Sequence, residues 1–248
     1  MGPTQGDGVR GVPRSLSPMS DALPVRQPVP QIVAHRGDPI HEVENTLAAI
    51  RRAHHDGAEM VEVDLRLTAD GDCVLLHDAT TARLWGIDRP VSDQRTAELP
   101  EGVPLLRDAL AATPARLLLD IPDDDPADDL ARAAVGVARE AGVDVVFCGE
   151  ETAMQAVRAA DPTVEIRLTW KTLDPLPDAL VEQLRPSSWN PPHELVDAAS
   201  IVLARTQGLA VTCWTVDDID RARELAALGV DAITSNRAGE LRAALQGR

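Results

Sequence analysis

Val61-Glu62-Val63-Asp64-Leu65 alternates strictly between apolar and acidic residues. Side chains on a strand point to opposite faces in turn, so Val61, Val63 and Leu65, with Leu67 beyond, share one face while Glu62 and Asp64 share the other. The apolar face is suited to packing on helices. Carboxylates buried on the opposite face are costly unless they are paired or bind a metal. Such a strand calls for helices on one side and a polar site on the other. Upstream stands Val33-Ala34-His35-Arg36-Gly37, followed by Glu44-Asn45-Thr46, and downstream Leu75-Leu76-His77-Asp78. Two histidines, an arginine and two same-face carboxylates point to metal-assisted acid–base chemistry on an anionic substrate.

From Gln31 onward, strand and helix patterns alternate. Strands are predicted near Ile32–Ala34, Ala58–Leu67, Arg116–Ile121, Val143–Cys148, Glu165–Trp170, Ser187–Asn190, Leu209–Val216 and Asp231–Ser235. Most are short apolar runs, the pattern of parallel strands covered on both faces. Helices are predicted at Thr46–His55, Ala127–Ala141, Thr152–Ala160, His193–Gln207, Ile219–Leu228 and Gly239–Gln246. The segment from Cys73 to Pro104 fits no simple strand–helix unit; it reads as a short extra strand ending at His77, then an irregular excursion containing Trp85. The expected architecture is α/β: a (β/α)8 TIM barrel with a short insertion after strand 2. An open doubly wound sheet is the rival, but no G-x-G-x-x-G follows the first strand, which removes its commonest ligand signature.

Composition sets the outer bounds. The chain has 248 residues, enough for one large domain or two small ones, and is 44% hydrophobic. With one Phe, four Trp and no Tyr, aliphatic side chains must fill the core. Cys73, Cys148 and Cys213 each fall in a predicted strand, and an odd count without metal-type spacing reads as buried thiols in a reducing compartment. A net charge of −16 argues against nucleic acid and against loose docking on anionic membranes. It leaves room for a small phosphate-bearing ligand, because a local cation can override the global field. No apolar run approaches the roughly 18 residues of a membrane span, and the N-terminus lacks the continuous apolar core of a signal peptide. A cytoplasmic location is the expectation, and oligomeric state is not legible. Residues 1–30, rich in Gly, Pro and Ser, read as a flexible leader ahead of a barrel domain over 31–248, with Met19 an alternative start.

A barrel places its working residues at the C-terminal ends of its strands. The polar candidates fall there: His35 and Arg36 on strand one, Glu62 and Asp64 on strand two, and Asp120 on strand three. Trp170 and Lys171 follow on strand five, Trp189 and Asn190 on strand six, Trp214 on strand seven and Thr234 to Asn236 on strand eight. The three strand-end tryptophans read either as core filler or as a substrate wall, with Trp214 the best candidate for the wall.

These motifs, in order, resemble the glycerophosphodiester phosphodiesterase family. They stand as His35-Arg36-Gly37, Glu44-Asn45-Thr46, Glu62-Val63-Asp64, Asp70-Gly71 and His77-Asp78, with Trp214-Thr215-Val216 and Gly229-Val230-Asp231 later. The resemblance implies hydrolysis of a glycerophosphodiester to glycerol 3-phosphate and an alcohol. It implies His35 and His77 as the acid–base pair and Arg36 as the holder of a phosphoryl oxygen. One divalent ion, Ca²⁺ or Mg²⁺, would sit on Glu62 and Asp64. Glu44 and Asn45 would brace the first loop. The nucleophile, water or a neighbouring hydroxyl of the substrate, stays open.

The chain departs from the family at strand three, where E-x-K is replaced by Asp120-Ile121-Pro122. Asp120 keeps a carboxylate and is expected to reach the ion, directly or through water. The lost lysine removes a charge-assisted hydrogen bond of roughly 1.5–3 kcal/mol, on the order of 10- to 150-fold in rate. Asp123, Asp124 and Asp125 add negative charge nearby, as a solvated loop and helix cap or as part of the site's field. Lys171, the only lysine in the chain, is a candidate replacement for the missing cation, or a lone survivor of a bias toward arginine. At strand eight, Ser235-Asn236 stands where the family usually has an Asp. Glu62 and Asp64 could instead pair with Arg66 or Arg36 in an internal ion network. Two other functions remain open: a non-catalytic phospho-ligand binding barrel, and a phosphodiesterase acting on lysophospholipids.

Overall fold

The computed structural model describes residues 1–2, 29–122 and 127–247. Most of the leader proposed for residues 1–30 lies outside the described residues, as do Asp123, Asp124 and Asp125. Eight strands form a closed parallel ring: β1 (Gln31–Ala34), β2 (Met60–Leu67), β6 (Arg116–Asp120), β7 (Val145–Gly149), β8 (Glu165–Leu168), β9 (Ser188–Trp189), β10 (Ala210–Cys213) and β11 (Ala232–Ser235). The ring closes where β1 pairs with β2 on one side and with β11 on the other, Ala34 opposite both Val61 and Ser235. The expected (β/α)8 barrel is thus the observed fold.

The helices wrap the ring: α1 (Leu47–His55), α3 (Leu106–Ala112), α4 (Ala127–Ala141), α5 (Glu151–Ala160), α6 (Asp178–Leu184), α7 (Ala198–Thr206), α8 (Ile219–Leu228) and α9 (Ala238–Gln246). Their starts follow from capping chemistry. Thr46 Oγ1 accepts from the Ala49 N–H at 3.2 Å to open α1, and Asp218 Oδ1 accepts from Arg221 N at 2.8 Å to open α8. The core lies between ring and helices: Val61, Val63 and Leu65 are fully buried there with Leu117, Leu119, Phe147 and Ile166. Inside the ring a smaller apolar cluster, Val33, Met60, Leu118, Val146, Cys148 and Ala232, forms the floor beneath the polar residues.

Several expected boundaries shift. The helix expected over His193–Gln207 is broken: a 3-10 turn at His193–Leu195 precedes α7. Asp197 and Ser200 close a reciprocal cap there, each side chain bonded to the other's N–H at 2.8 Å, and restart the helix. The strand expected over Leu209–Val216 is only Ala210–Cys213, with Trp214 making a single bridge to Pro192. The seven-residue helices α3 and α6 were not expected. Each is short enough to carry little periodicity of its own.

The insertion after β2 is more ordered than expected. The antiparallel strand β3 (Cys73–Leu75) pairs with Leu65–Leu67 of β2; then β4 (Thr80–Thr81), the one-turn helix α2 (Ala82–Trp85) and β5 (Ile87–Pro90) make a small hairpin unit. It has its own apolar cluster of Val74, Leu76 and Val91, on which Leu84, Trp85 and Leu99 pack.

Candidate active site

The turn after β1 is built by left-handed backbone. Arg36 and Gly37 have φ of 57° and 87°. A Cβ on Gly37 would lie 2.6 Å from the Ala49 carbonyl carbon, so only glycine fits between the turn and α1. The turn aims the Arg36 N–H at Glu62 Oε2, 2.9 Å away. The Arg36 guanidinium reaches two more carboxylates. Nη1 donates to Glu44 Oε1 at 2.9 Å, and Nε lies 3.1 Å from Asp64 Oδ2 but out of line for a hydrogen bond, so that contact is ionic. Asn45, also left-handed at φ 57°, locks the loop onto β2: its Nδ2 donates to Asp64 Oδ2 at 2.7 Å and its Oδ1 accepts from Asp64 N at 3.1 Å.

Glu62, Asp64 and Asp120 each offer an oxygen, and these atoms lie within 4.8 Å of one another. Burial pushes the Glu62 carboxyl well above its ordinary range, and the charges of Asp64 and Asp120 push the same way. Arg36 opposes this without cancelling it. An all-oxygen, acidic cage short of positive charge fits a hard divalent cation. Gly149, at the end of β7, allows the segment after Asp120 to cross closely, since a Cβ there would sit 2.7 Å from the Ile121 carbonyl oxygen.

The two imidazoles are held differently. His77 Nδ1 lies 2.7 Å from Asp78 Oδ1 and, facing a carboxylate, donates to it. Asp78 is itself held low, to about 2, mainly by hydrogen bonding from Arg83. His77's partner is therefore charged throughout the range in which an imidazole titrates. The His77 carbonyl accepts from Arg66 Nε at 3.1 Å. His35 Nδ1 meets Asn236 Oδ1 at 2.7 Å. The Asn236 amide is oriented by Asp217, whose Oδ2 accepts from Nδ2 at 2.7 Å, so the Asn236 oxygen faces His35 and Nδ1 carries the proton. In both rings Nε2 is the nitrogen left for chemistry; that of His35 lies 3.8 Å from Glu62 Oε2. Burial first, then the Arg36 charge, pushes the His35 imidazole below its ordinary value.

One cavity of ≈ 420 Å³ at the C-terminal mouth is lined by His35, Arg36, Glu62, Asp64, His77, Asp120, Lys171 and Trp214, with Pro122, Asn190, Thr169 and Cys148 among its other walls. Glu44 and Asn45 stand behind this surface as partners of Arg36 and Asp64. Lys171 is ion-paired with Glu150, another lining residue. Trp170 and Trp189 are outside the set. The Trp170 indole N–H turns to the Asp174 carbonyl at 3.0 Å, while Trp189 is buried, donating to the Trp170 carbonyl at 3.1 Å. Arg66 also lines this cavity, and its Nε and Nη2 donate to the His77 carbonyl. Sequence reasoning missed Asp217, Arg83 and Cys148 Sγ, which lies 3.3 Å from Asp120 Oδ1. The left-handed cap at Gly86, after Leu84-Trp85, is a local signal that could have revealed the turn carrying Arg83.

Fold and site define the class: a (β/α)8 barrel whose mouth gathers two imidazoles, an arginine and three carboxylates. A family model described as the glycerophosphoryl diester phosphodiesterase family matches residues 35–240. The chain belongs to that family. A 112-residue stretch is 39% identical to glycerophosphodiester phosphodiesterase 1 of Bos taurus, covering 38% of this chain and 34% of that one. Lysophospholipase D GDPD1 of Rattus norvegicus is 40% identical over 68 residues, 27% of this chain and 22% of its own. The chain thus matches a minor part of these relatives' length. Among solved structures, a phosphodiesterase of Oleispira antarctica in complex with the product sn-glycerol-3-phosphate superposes with a TM-score of 0.82 at 22% identity, over 88% of this chain and 97% of that one. That likeness is one of fold.

Proposed function

We propose that this chain hydrolyses glycerophosphodiesters to glycerol 3-phosphate and an alcohol, using His35 and His77 as an acid–base pair. The observation that carries the proposal is the convergence of both imidazoles, Arg36 and the three-carboxylate cage on one cavity wall set. One imidazole takes the proton of the attacking hydroxyl, from water or from the substrate. The other gives a proton to the departing alkoxide as its bond to phosphorus breaks. Asp78 and Asn236 hold the two rings in the tautomer that leaves Nε2 to act. Arg36, tied by Glu44 and Asp64, presents its fork to a phosphoryl oxygen. Glu62, Asp64 and Asp120 would hold a divalent cation, Ca²⁺ or Mg²⁺, which when bound neutralises charge developing on the phosphoryl group.

Pro122 and Lys171 border the same cavity, so we assign Lys171 the phosphate-facing charge that position 122 lacks. In the free protein Glu150 occupies the ammonium, and an anionic substrate would compete for it. Lys171→Met is expected to raise KM or lower kcat at least about tenfold; unchanged steady-state constants would end this assignment. Trp214 offers an apolar wall to the alcohol portion.

The direct test is product analysis across glycerophosphocholine, glycerophosphoethanolamine, dispersed lysophosphatidylcholine and a chromogenic diester, with added Ca²⁺ or Mg²⁺ and with chelator. Metal-dependent release of glycerol 3-phosphate supports the reading. Turnover of the lysolipid alone would shift the substrate class toward that named for the Rattus norvegicus relative. Phosphate-ester binding without turnover would make the chain a binding barrel. Among the described residues no helix is long and apolar enough to cross a membrane. The cytoplasmic assignment rests on the three buried, free thiols.

A further inference from the structure

We propose that Arg83, on the excursion after β3, is a positioning residue that sets the phosphate-holding arm and an acid–base arm of the site together. Its guanidinium spans two carboxylates from loops far apart in sequence. Nε donates to Asp78 Oδ2 at 2.6 Å, Nη1 to Glu44 Oε2 at 3.0 Å, and Nη2 to Glu44 Oε1 at 2.6 Å. A longer Nη2 contact reaches Asp78 Oδ1 at 3.3 Å. The oxygens are shared with the site: Asp78 Oδ1 is the atom that His77 Nδ1 meets, and Glu44 Oε1 is the atom that accepts from Arg36 Nη1. A continuous line of charge-assisted contacts therefore runs His77–Asp78–Arg83–Glu44–Arg36.

An exposed ion pair is ordinarily worth little, and the Arg83 side chain is 46% exposed. Three features separate this arrangement from that case. The fork is engaged with both oxygens of each carboxylate, a geometry open to arginine and closed to the single ammonium of lysine. Glu44 is only 14% exposed, so it is poorly placed to exchange its partners for water. And the same nitrogen serves both acids; without it, Asp78 and Glu44 would face each other as like charges and draw their loops apart. Misplacing a reacting group by about 1 Å can cost on the order of 10²-fold in rate. Arg83 itself lines no wall of the cavity, so its influence passes through His77 and Arg36.

The kinetic arm of the test rests on the proposed hydrolase activity. Arg83→Ala is expected to lower kcat and raise KM together, with a combined loss in kcat/KM of about 10- to 100-fold. Arg83→Lys should recover a minor part of this, and added methylguanidine should restore Arg83→Ala while leaving the parent protein unchanged. A purely structural arginine would show a lowered Tm, no rescue by methylguanidine, and kcat per folded molecule within twofold of the parent; that result overturns the proposal. Independently of turnover, ¹⁵N spectra of the His77 ring should show one fixed tautomer, protonated at Nδ1, in the parent and averaging in Arg83→Ala. An unchanged His77 ring in the variant overturns the proposal even if the substrate assignment proves wrong.

Discussion

Replacing either imidazole with alanine is expected to lower kcat by about 10²–10⁴-fold, the usual contribution of a positioned general acid or base. His35→Ala and His77→Ala should be similar in size, because each removes one half of a paired proton transfer. The double variant should lose far less than the product of the two, since a site already lacking its base gains little from its acid. KM should change modestly, because Arg36 and the carboxylate cage remain. The two variants differ in what they leave behind. Without His35, Asn236 and Asp217 keep their mutual hydrogen bond of 2.7 Å, so the rim should stand. Without His77, Asp78 still has Arg83 at 2.6 Å. Near-parent melting temperatures are therefore expected for both. If either variant retained kcat within threefold of the parent, the paired-imidazole mechanism would have to be abandoned.

Chelator treatment and metal addition should move stability as well as activity. A cation held only by the folded state at about 100 times its Kd stabilises by about 2.7 kcal/mol, and for a chain of this size each kcal/mol shifts Tm by roughly 2–4 °C. Adding Ca²⁺ or Mg²⁺ to the chelated protein should then raise Tm by roughly 5–11 °C. Glu62→Gln should abolish that shift. It also removes one of the like charges crowded among Asp64, Asp120 and Glu62, and the displaced repulsion should leave the metal-free variant at least as stable as the metal-free parent. Burial first, and then the charges of Asp64 and Asp120, push the Glu62 carboxyl up. Differential scanning calorimetry reads this without any substrate. A Tm indifferent to divalent cations in the parent would remove the proposed metal site, whatever the activity.

Much of this architecture was legible because its cues are local. Short apolar runs separated by amphipathic segments announce parallel strands covered by helices, and the alternation of Val61 to Leu65 fixes which face of β2 turns inward. The first half of the site was legible for the same reason: His35, Arg36, Glu62 and Asp64 sit on neighbouring strands, and Asn45 reaches Asp64 within a short loop. What escaped depends on closure or on irregular backbone. Asp217 matters to His35 through Asn236, which meets it because β11 pairs with β1, a contact spanning 201 residues. Arg83 sits on a one-turn helix with no period to read. The three strand-end tryptophans, open between core filler and substrate wall, are told apart by their partners. In a chain with few aromatics the indoles of Trp170 and Trp189 find carbonyl partners against the core, whereas only Trp214 reaches the mouth. The break before α7 was hidden because the cap at Asp197 lies inside an apparently continuous run.

The small apolar cluster beneath the excursion has a consequence for inactivation. His35 directly follows β1, whose Ile32 and Ala34 lie in the main core, whereas His77 directly follows Leu76, which with Val74 and Val91 forms a patch separate from that core. Cooperative units with few buried neighbours open at lower free energy than the molecule as a whole. Gentle warming should therefore release one half of the proton-transfer pair while the helical far-ultraviolet signal persists, and amides of the excursion should exchange with solvent deuterium before those of the ring.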